Sequence, residues 1–258
     1  MAAFSDQEAC LWQNGPIPGR FHDFPRQSPT TSHGPSKRSM YPVTQGTSVL
    51  GVCFDGGVAI AADTLGSYGS LARFRNLSRL MKVNENTVIG ASGDIADFQY
   101  IQDVLKQKVI DDACYDDGHG YTPKSIFSWL TRVLYYRRSK FDPLWNQIVV
   151  AGHYQGQNFL GYVDRLGIAY EAPSVATGYG AYIAQPLLRD ALEKNPHLTA
   201  EDAEKLLVKC LEVLYYRDAR SLNRYEIAVV KDDAEPVISN VKTIETNWDV
   251  AHYVKGYE

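Results

Sequence analysis

Two apolar runs flank an Asp-Gly turn early in the chain, and this feature constrains the fold most. TSVLGVCF is followed by Asp55-Gly56-Gly57 and then by VAIAAD. Residues rich in Val, Ile and Ala on either side of Asp-Gly predict a β-hairpin, because the turn needs positive φ and glycine supplies it without strain. After a loop rich in Gly and Ser, the runs Leu80-Met81-Lys82-Val83 and TVIGAS predict two more short strands. The period then changes. Ile95, Phe98, Ile101, Leu105, Val109 and Ala113 recur every three or four residues, which is one face of a helix. A second helix is predicted from Thr122-Pro123, with Thr as N-cap and Pro at the first helical position. Its stripe is Ile126, Leu130, Val133 and Leu134, and it should end before Asp142-Pro143.

NQIVVAG, NFLGYVD, GIAYEA and PSVATG then return to strand character. A helix is predicted over 181–194, with a start or kink at Pro186, and another from Thr199, with Asp202 completing a box-like cap. YEIAVV is a final strand, and residues 237–258 show no period. Hairpin-grouped strands favour antiparallel sheets over a doubly wound parallel one. Each helix pair has one stripe to bury, and a sheet face is its natural partner. The predicted fold class is therefore α/β (α+β): a four-layer α/β/β/α sandwich of two antiparallel sheets.

The first 46 residues differ from the rest, holding six of the twelve prolines. Proline fixes φ and lacks a donor, so this density predicts an irregular extension over 1–46. The domain would occupy 47–236, and 237–258 would be a C-terminal arm.

Composition closes off several functions. The 258 residues are 45% hydrophobic and 22% charged, with a net charge of −4, so disorder throughout and strongly basic nucleic-acid binding are both excluded. Lys37-Arg38 and Arg137-Arg138-Ser139-Lys140 read as solvated surface. No apolar stretch reaches the ~18 residues needed to span a bilayer, and the N-terminus lacks a secretory pattern. Cys10, Cys53, Cys114 and Cys210 form no CxxC pair, which excludes zinc ribbons and fits free thiols. The sequon Asn76-Leu77-Ser78 reads as chance without a secretory signal.

No phosphate-loop, HExxH or GxSxG motif is present, and the six histidines show no ligand spacing, so neither cofactor nor metal is expected. Thr177-Gly178-Tyr179-Gly180 reads as a turn into a helix. One constellation survives. The first strand of the domain is predicted to begin at Gly46-Thr47, directly after the extension. A threonine freed there by cleavage can attack through its hydroxyl and use its own α-amine as base. The plainer reading is an ordinary strand-starting threonine. Asp63 lies at the end of the second strand.

GTSVLGVCFDGGVAIAADTLGSYGSLARFRNLSRLMKV resembles the start of a proteasome beta-type subunit, a family with the N-terminal-nucleophile hydrolase fold. GASGDIADFQY resembles that family's turn into its first helix, and YYRDARSLNR its last helix-to-strand turn. PLWNQIVVAG, EAPSVATGYGAYIAQPLLRDALEK and ETNWDVAH extend the resemblance from about Thr44 to the C-terminus. It implies that Thr47 falls on the nucleophile position and Asp63 on the carboxylate that orients the site. Gly93 falls where a backbone amide serves as oxyanion donor, and Asp218 and Ser221 fall near the nucleophile's amine.

Two departures matter: Arg79 stands where active members have lysine, and Gly178 where they have serine. A guanidinium holds its proton and only donates, so it cannot relay a proton as a lysine can. A close pair of Arg79 with Asp63 is expected instead. The resemblance thus implies a non-catalytic structural subunit that supports ATP- and ubiquitin-dependent protein degradation. It would work in cytoplasm and nucleus, with other alpha and beta subunits in a four-ring particle and with assembly chaperones, and with no nucleic acid or membrane as partner. Trimming is expected near Arg38-Ser39, and Trp248, Tyr253 and Tyr257 are expected to anchor the arm on neighbours. The alternatives are an active threonine endopeptidase with Thr47 as nucleophile, and an unrelated sandwich-fold binding protein. For the arm, the alternative is a tail that is disordered or folded back on its own domain.

Overall fold

The Asp55-Gly56 turn joins β2 (Val49–Phe54) to β3 (Gly57–Asp63), with Phe54 opposite Gly57 and Gly56 at φ +83°. The computed structural model describes residues 42–232 and 234–254. Most of the proline-rich extension, the expected cut near Arg38-Ser39, Cys10 and Tyr257 therefore lie outside the described residues. Every residue of β3 is buried, and all of β2 except Cys53. Central strands covered on both faces need no alternation, which is why these runs read as continuously apolar.

β2 and β3 are the centre of a six-stranded sheet. Its order is β11 (Ser174–Ala176), β2, β3, β12 (Arg224–Lys231) and β13 (Ala234–Ile238), with β14 (Lys242–Thr243) also paired to β12. The second sheet has eight strands. Its order is β10 (Ala169–Glu171), β9 (Gln157–Val163), β8 (Asn146–Tyr154), β7 (Thr87–Asp94), β1 (Thr44–Gly46), β4 (Gly66–Tyr68) and β5 (Leu71–Phe74), with β6 (Leu80–Asn84) beside β7. All ladders among the described residues are antiparallel.

The sheets stack through Val49, Val58, Ile60, Val88, Val149 and Leu160, all essentially inaccessible to solvent. On one outer face lie α1 (Ile95–Tyr115) and α2 (Pro123–Ser139). On the other lie α3 (Gly180–Lys194) and α4 (Ala200–Arg217), whose Leu188, Leu207, Cys210 and Leu214 cover Leu50, Val52 and Ile227. The predicted four-layer α/β/β/α sandwich is the observed architecture. Thr122 caps α2 by accepting from the Ser125 N–H at 3.1 Å, and Thr199 caps α4 by accepting from the Asp202 N–H at 3.2 Å.

The local reading needs four corrections. The first strand is Thr44–Gly46, inside the segment read as irregular, and Thr47-Ser48 lie between strands of different sheets. Residues 66–74, read as loop, form the β4–β5 hairpin. Ala113 is exposed, so the buried stripe of α1 ends at Leu105. Residues 237–244 are not a free arm: β13 and β14 pair with β12, and Ile244 is 5% exposed in the core. Short edge strands with one wet face carry too few apolar residues to announce a period.

Candidate active site

Thr47 lies where the chain crosses from one sheet to the other. β1 pairs with β7 (Gly46 opposite Gly93, Gln45 opposite Asp94), and two residues later β2 enters the other sheet. The Val43 N–H also donates to the Asp94 carboxylate at 2.9 Å. The other oxygen of Asp94 caps α1 by accepting from the N–H groups of Ala96 and Asp97. The stretch just before Thr47 is thus built into the sheet, along the edge of β7 that carries Gly93.

Beneath Thr47 is Arg79, whose side chain has no solvent exposure. Its Nε donates to the Asp63 carbonyl at 3.0 Å. Its Nη1 donates to the carbonyls of Thr47 at 2.8 Å and Ala91 at 3.2 Å. Its Nη2 donates to the Ser48 carbonyl at 2.8 Å and pairs with the Asp63 carboxylate. All five N–H groups of the guanidinium are therefore used. The pair expected between Arg79 and Asp63 forms. The other carboxylate oxygen of Asp63 accepts from the Leu222 N–H at 2.9 Å. Burial pushes the Asp63 carboxyl above its ordinary range, and the Arg79 charge and the Leu222 N–H pull against that. A Cβ on Gly46 would lie 2.4 Å from the Arg79 Cδ, so the guanidinium stem fits only beside glycine.

The Thr47 hydroxyl donates to the Asp218 carboxylate, and the other Asp218 oxygen accepts from the Arg220 N–H at 2.9 Å. Ser221 does not face Thr47. Its hydroxyl bonds the carbonyls of Asp218 at 2.7 Å and Leu214 at 3.2 Å, bracing the turn that carries Asp218. Gly93 is held at φ +89°, and a Cβ there would sit 2.0 Å from the Trp145 carbonyl oxygen, so only glycine fits. Gly178 is at φ +58°, and its N–H donates to Gln147 Oε1 at 3.0 Å. A Cβ on Gly178 would meet Ser48 at an ordinary 3.7 Å, so the missing side chain reflects the left-handed backbone rather than want of room.

Thr47, Gly93, Gly178 and Asp218 line one cleft of about 630 Å³, with Trp145 and Arg165 among its other walls. Asp63 and Arg79 are not among the cleft's lining residues; Arg79 reaches Thr47 through its backbone carbonyl, and Asp63 holds Arg79. Three supporting residues were not foreseen. Ser48 Oγ accepts from the Gly180 N–H at 2.8 Å, and Thr177 Oγ1 from the Val49 N–H at 2.8 Å. Asn146 Nδ2 donates to the carbonyls of Ser92 and Asp94. Their partners are distant in sequence, so no spacing rule points to them. Among the described residues, no His/Cys/Asp/Glu group is arranged to hold a metal.

Chemically, the cation bonded to Thr47 offers no proton relay: every N–H of Arg79 is committed and a guanidinium only donates, while the Thr47 hydroxyl is held by Asp218.

At the C-terminal end, Trp248 packs edge-on against Tyr216 with ring centroids 5.0 Å apart, and against Tyr215 at 5.9 Å. The Asn247 N–H donates to the Tyr216 hydroxyl at 2.7 Å. Trp248 thus folds back on its own domain, whereas Tyr253 is 82% exposed.

Comparison with known proteins agrees with this geometry. A family model described as "Proteasome subunit" matches residues 43–230. The chain is 57% identical over 244 residues to proteasome subunit beta type-4 of Xenopus laevis, covering 95% of this chain and 98% of that one. It is 44% identical over 258 residues to proteasome subunit beta type-4 of Drosophila melanogaster, covering 96% of each. It is also 44% identical over 233 residues to proteasome subunit beta type-7 of Saccharomyces cerevisiae, covering 86% of this chain and 87% of that one. A two-sheet sandwich with Thr47 at the crossing between its sheets, and a family match over nearly all of that sandwich, lead to one conclusion: the chain belongs to the proteasome subunit family.

Proposed function

We propose that this chain is a non-catalytic beta subunit of the proteasome core particle, serving protein degradation through assembly rather than cleavage. The observation that carries the reading is Arg79. Where the family resemblance places a lysine in active members, this chain has a guanidinium with no solvent exposure and every N–H committed. It cannot give up a proton, so it cannot serve a threonine nucleophile. Gly178 is a second departure, because it brings no hydroxyl to the cleft that Thr47 lines. Together these oppose the reading as an active threonine endopeptidase. Losses within one catalytic unit do not add, because removing one member already abolishes most of what the unit does.

Several finer points belong to the same proposal. The partners are other alpha and beta subunits in a four-ring particle, with chaperones during assembly, in cytoplasm and nucleus. The relatives' names supply the word proteasome, and the folded β1 segment supplies a reason for trimming to stop upstream of Val43, near Arg38-Ser39. No helix among the described residues is long and apolar enough to cross a membrane.

The test is intact-mass analysis of the subunit from core particles treated with an epoxyketone or boronate. The expected result is an unmodified chain whose first residue lies upstream of Thr47. A covalent adduct on Thr47 would overturn the proposal. The Arg79→Lys variant should stay equally unreactive, because Gly178 remains.

A further inference from the structure

We propose that the C-terminal end of α2 is a docking surface built around Phe141, whose partner is an apolar pocket with an acidic rim on a neighbouring subunit. The proposal rests on the reading of the chain as an assembly subunit.

The sequence of α2, PKSIFSWLTRVLYYRRS, contains no acidic residue and four cations: Lys124, Arg132, Arg137 and Arg138. Its inner face buries Ile126, Leu130, Val133 and Leu134 against the sheet. Its last turns leave Tyr135 and Tyr136 more than half exposed, and Phe141 just beyond is 87% exposed.

Phe141 is also in the left-handed region, at φ +56°. That conformation is disfavoured for a bulky residue, and glycine would take it without strain at a helix end. The surrounding structure over-determines it. Arg137 Nε donates to the Asp142 carbonyl at 2.9 Å, and the same guanidinium pairs with the Asp142 carboxylate at 2.9 Å. The N–H groups of Phe141 and Asp142 donate to the carbonyls of Arg138 and Arg137, both at 3.1 Å. Pro143 then restricts Asp142 to extended backbone. A clamp this complete, used to hold a phenyl ring in water, costs the isolated chain twice: in backbone strain and in exposed apolar area. Both costs have a rationale if the ring is an anchor organised before binding.

The charges define the partner. Arg138 lies 5.8 Å over the Tyr135 ring, and Lys140 lies 5.6 Å over that of Tyr136. Both are exposed and lie within three residues of Phe141 in the chain, while Asp142 pairs with Arg137. Such a face fits a pocket deep enough for one ring and bordered by Asp or Glu. Nucleic acid fits less well, since it needs cations spread along a stripe at phosphate spacing on a basic protein, and the net charge here is −4.

The test uses a tagged full chain carrying Phe141→p-benzoylphenylalanine, irradiated in assembled particles. The expected product is a cross-link to another subunit, in a peptide containing Asp or Glu. A cross-link only within the chain, a cross-link to nucleic acid, or none at all in particles that contain the variant would overturn the docking surface. If the tagged wild-type chain fails to co-purify with other proteasome subunits, the proposed function falls instead, so the two failures are distinguishable. In co-expression with wild type, Phe141→Gly and the double variant Arg138→Glu/Lys140→Glu should enter particles about tenfold less often. The isolated Phe141→Gly subunit should melt no lower than wild type, because glycine relieves the strain. Equal incorporation, or a clearly lower melting temperature for Phe141→Gly, would make Phe141 an ordinary structural residue and refute the proposal.

Discussion

Arg79 is wholly buried with an acceptor for each of its five N–H groups, whereas Arg138 and Lys140 lie in solvent over exposed tyrosine rings. The first cation joins the Thr47-Ser48 crossing, β3 and β7 at the point where the chain changes sheet. The others touch only tyrosine rings of their own helix. The difference separates what polar groups do in the two places. Beside Thr47, they are part of the frame. At the end of α2, and again around Tyr253, apolar rings stay exposed at a cost that the isolated subunit does not recover.

The sharpest way to break this contrast is to remove the buried cation. Arg79→Met should destabilise the isolated subunit by about 3–5 kcal/mol, because it leaves the Asp63 carboxylate buried without its counter-charge. Urea denaturation measures it, and a loss below about 1 kcal/mol would show that Arg79 does not hold the frame.

Next in size is the C-terminal segment, which the structure divides in two. Removing residues 242–258 deletes β14 and the core residue Ile244, and should cost about 2–3 kcal/mol. Removing only 249–258 deletes a short 3₁₀ helix, Asp249–Tyr253, with no buried residue, together with the four residues at 255–258 and Val254. That truncation should leave the unfolding midpoint within about 1 °C of the intact subunit's. Native gels should nonetheless show half-particles accumulating, because Tyr253 is lost from the surface. Normal levels of full particle would remove the arm from the assembly argument.

The smallest effect concerns thiols. Burial pushes Cys53 and Cys210 up to about 11, whereas Cys114 is exposed. A raised pKa means fewer thiolates at a given pH, so at pH 8 about one in a thousand of these two thiols would be ionised. Iodoacetamide followed by peptide mapping should label Cys114 in the native protein, and Cys53 and Cys210 only on unfolding. Native labelling of Cys210 would show that the α3–α4 layer opens more readily than its packing implies.

Much of the frame was legible because it is written locally. The Asp55-Gly56 hairpin, the Thr122-Pro123 start of α2 and the stripe from Ile95 to Leu105 each depend on residues within a few positions of one another. The β1 strand was not legible, because three residues after a proline-rich run carry no period of their own and are strands only by pairing with β4 and β7. The β4–β5 hairpin was hidden for a related reason: β5 is an edge strand with Leu71 and Phe74 exposed, so its pattern looks like loop. Thr47 stood out by its place after the proline-rich run and Asp63 by its strand end, but their roles and the meaning of Arg79 came from long segments resembling a family.

By itself, then, the sequence determined the layers: the alternation of hairpins and striped helices leaves apolar faces that only a stacked sandwich buries. It also determined that position 79 would present a guanidinium, a group that only donates hydrogen bonds. What only the tertiary structure decided is where that group goes. Its acceptors come from Thr47-Ser48, Asp63 and Ala91, separated from it by 12 to 32 positions, and they converge only once both sheets have formed. The free energy of a buried ion depends on the distances to all its partners at once, and nothing in a linear order of residues encodes those distances.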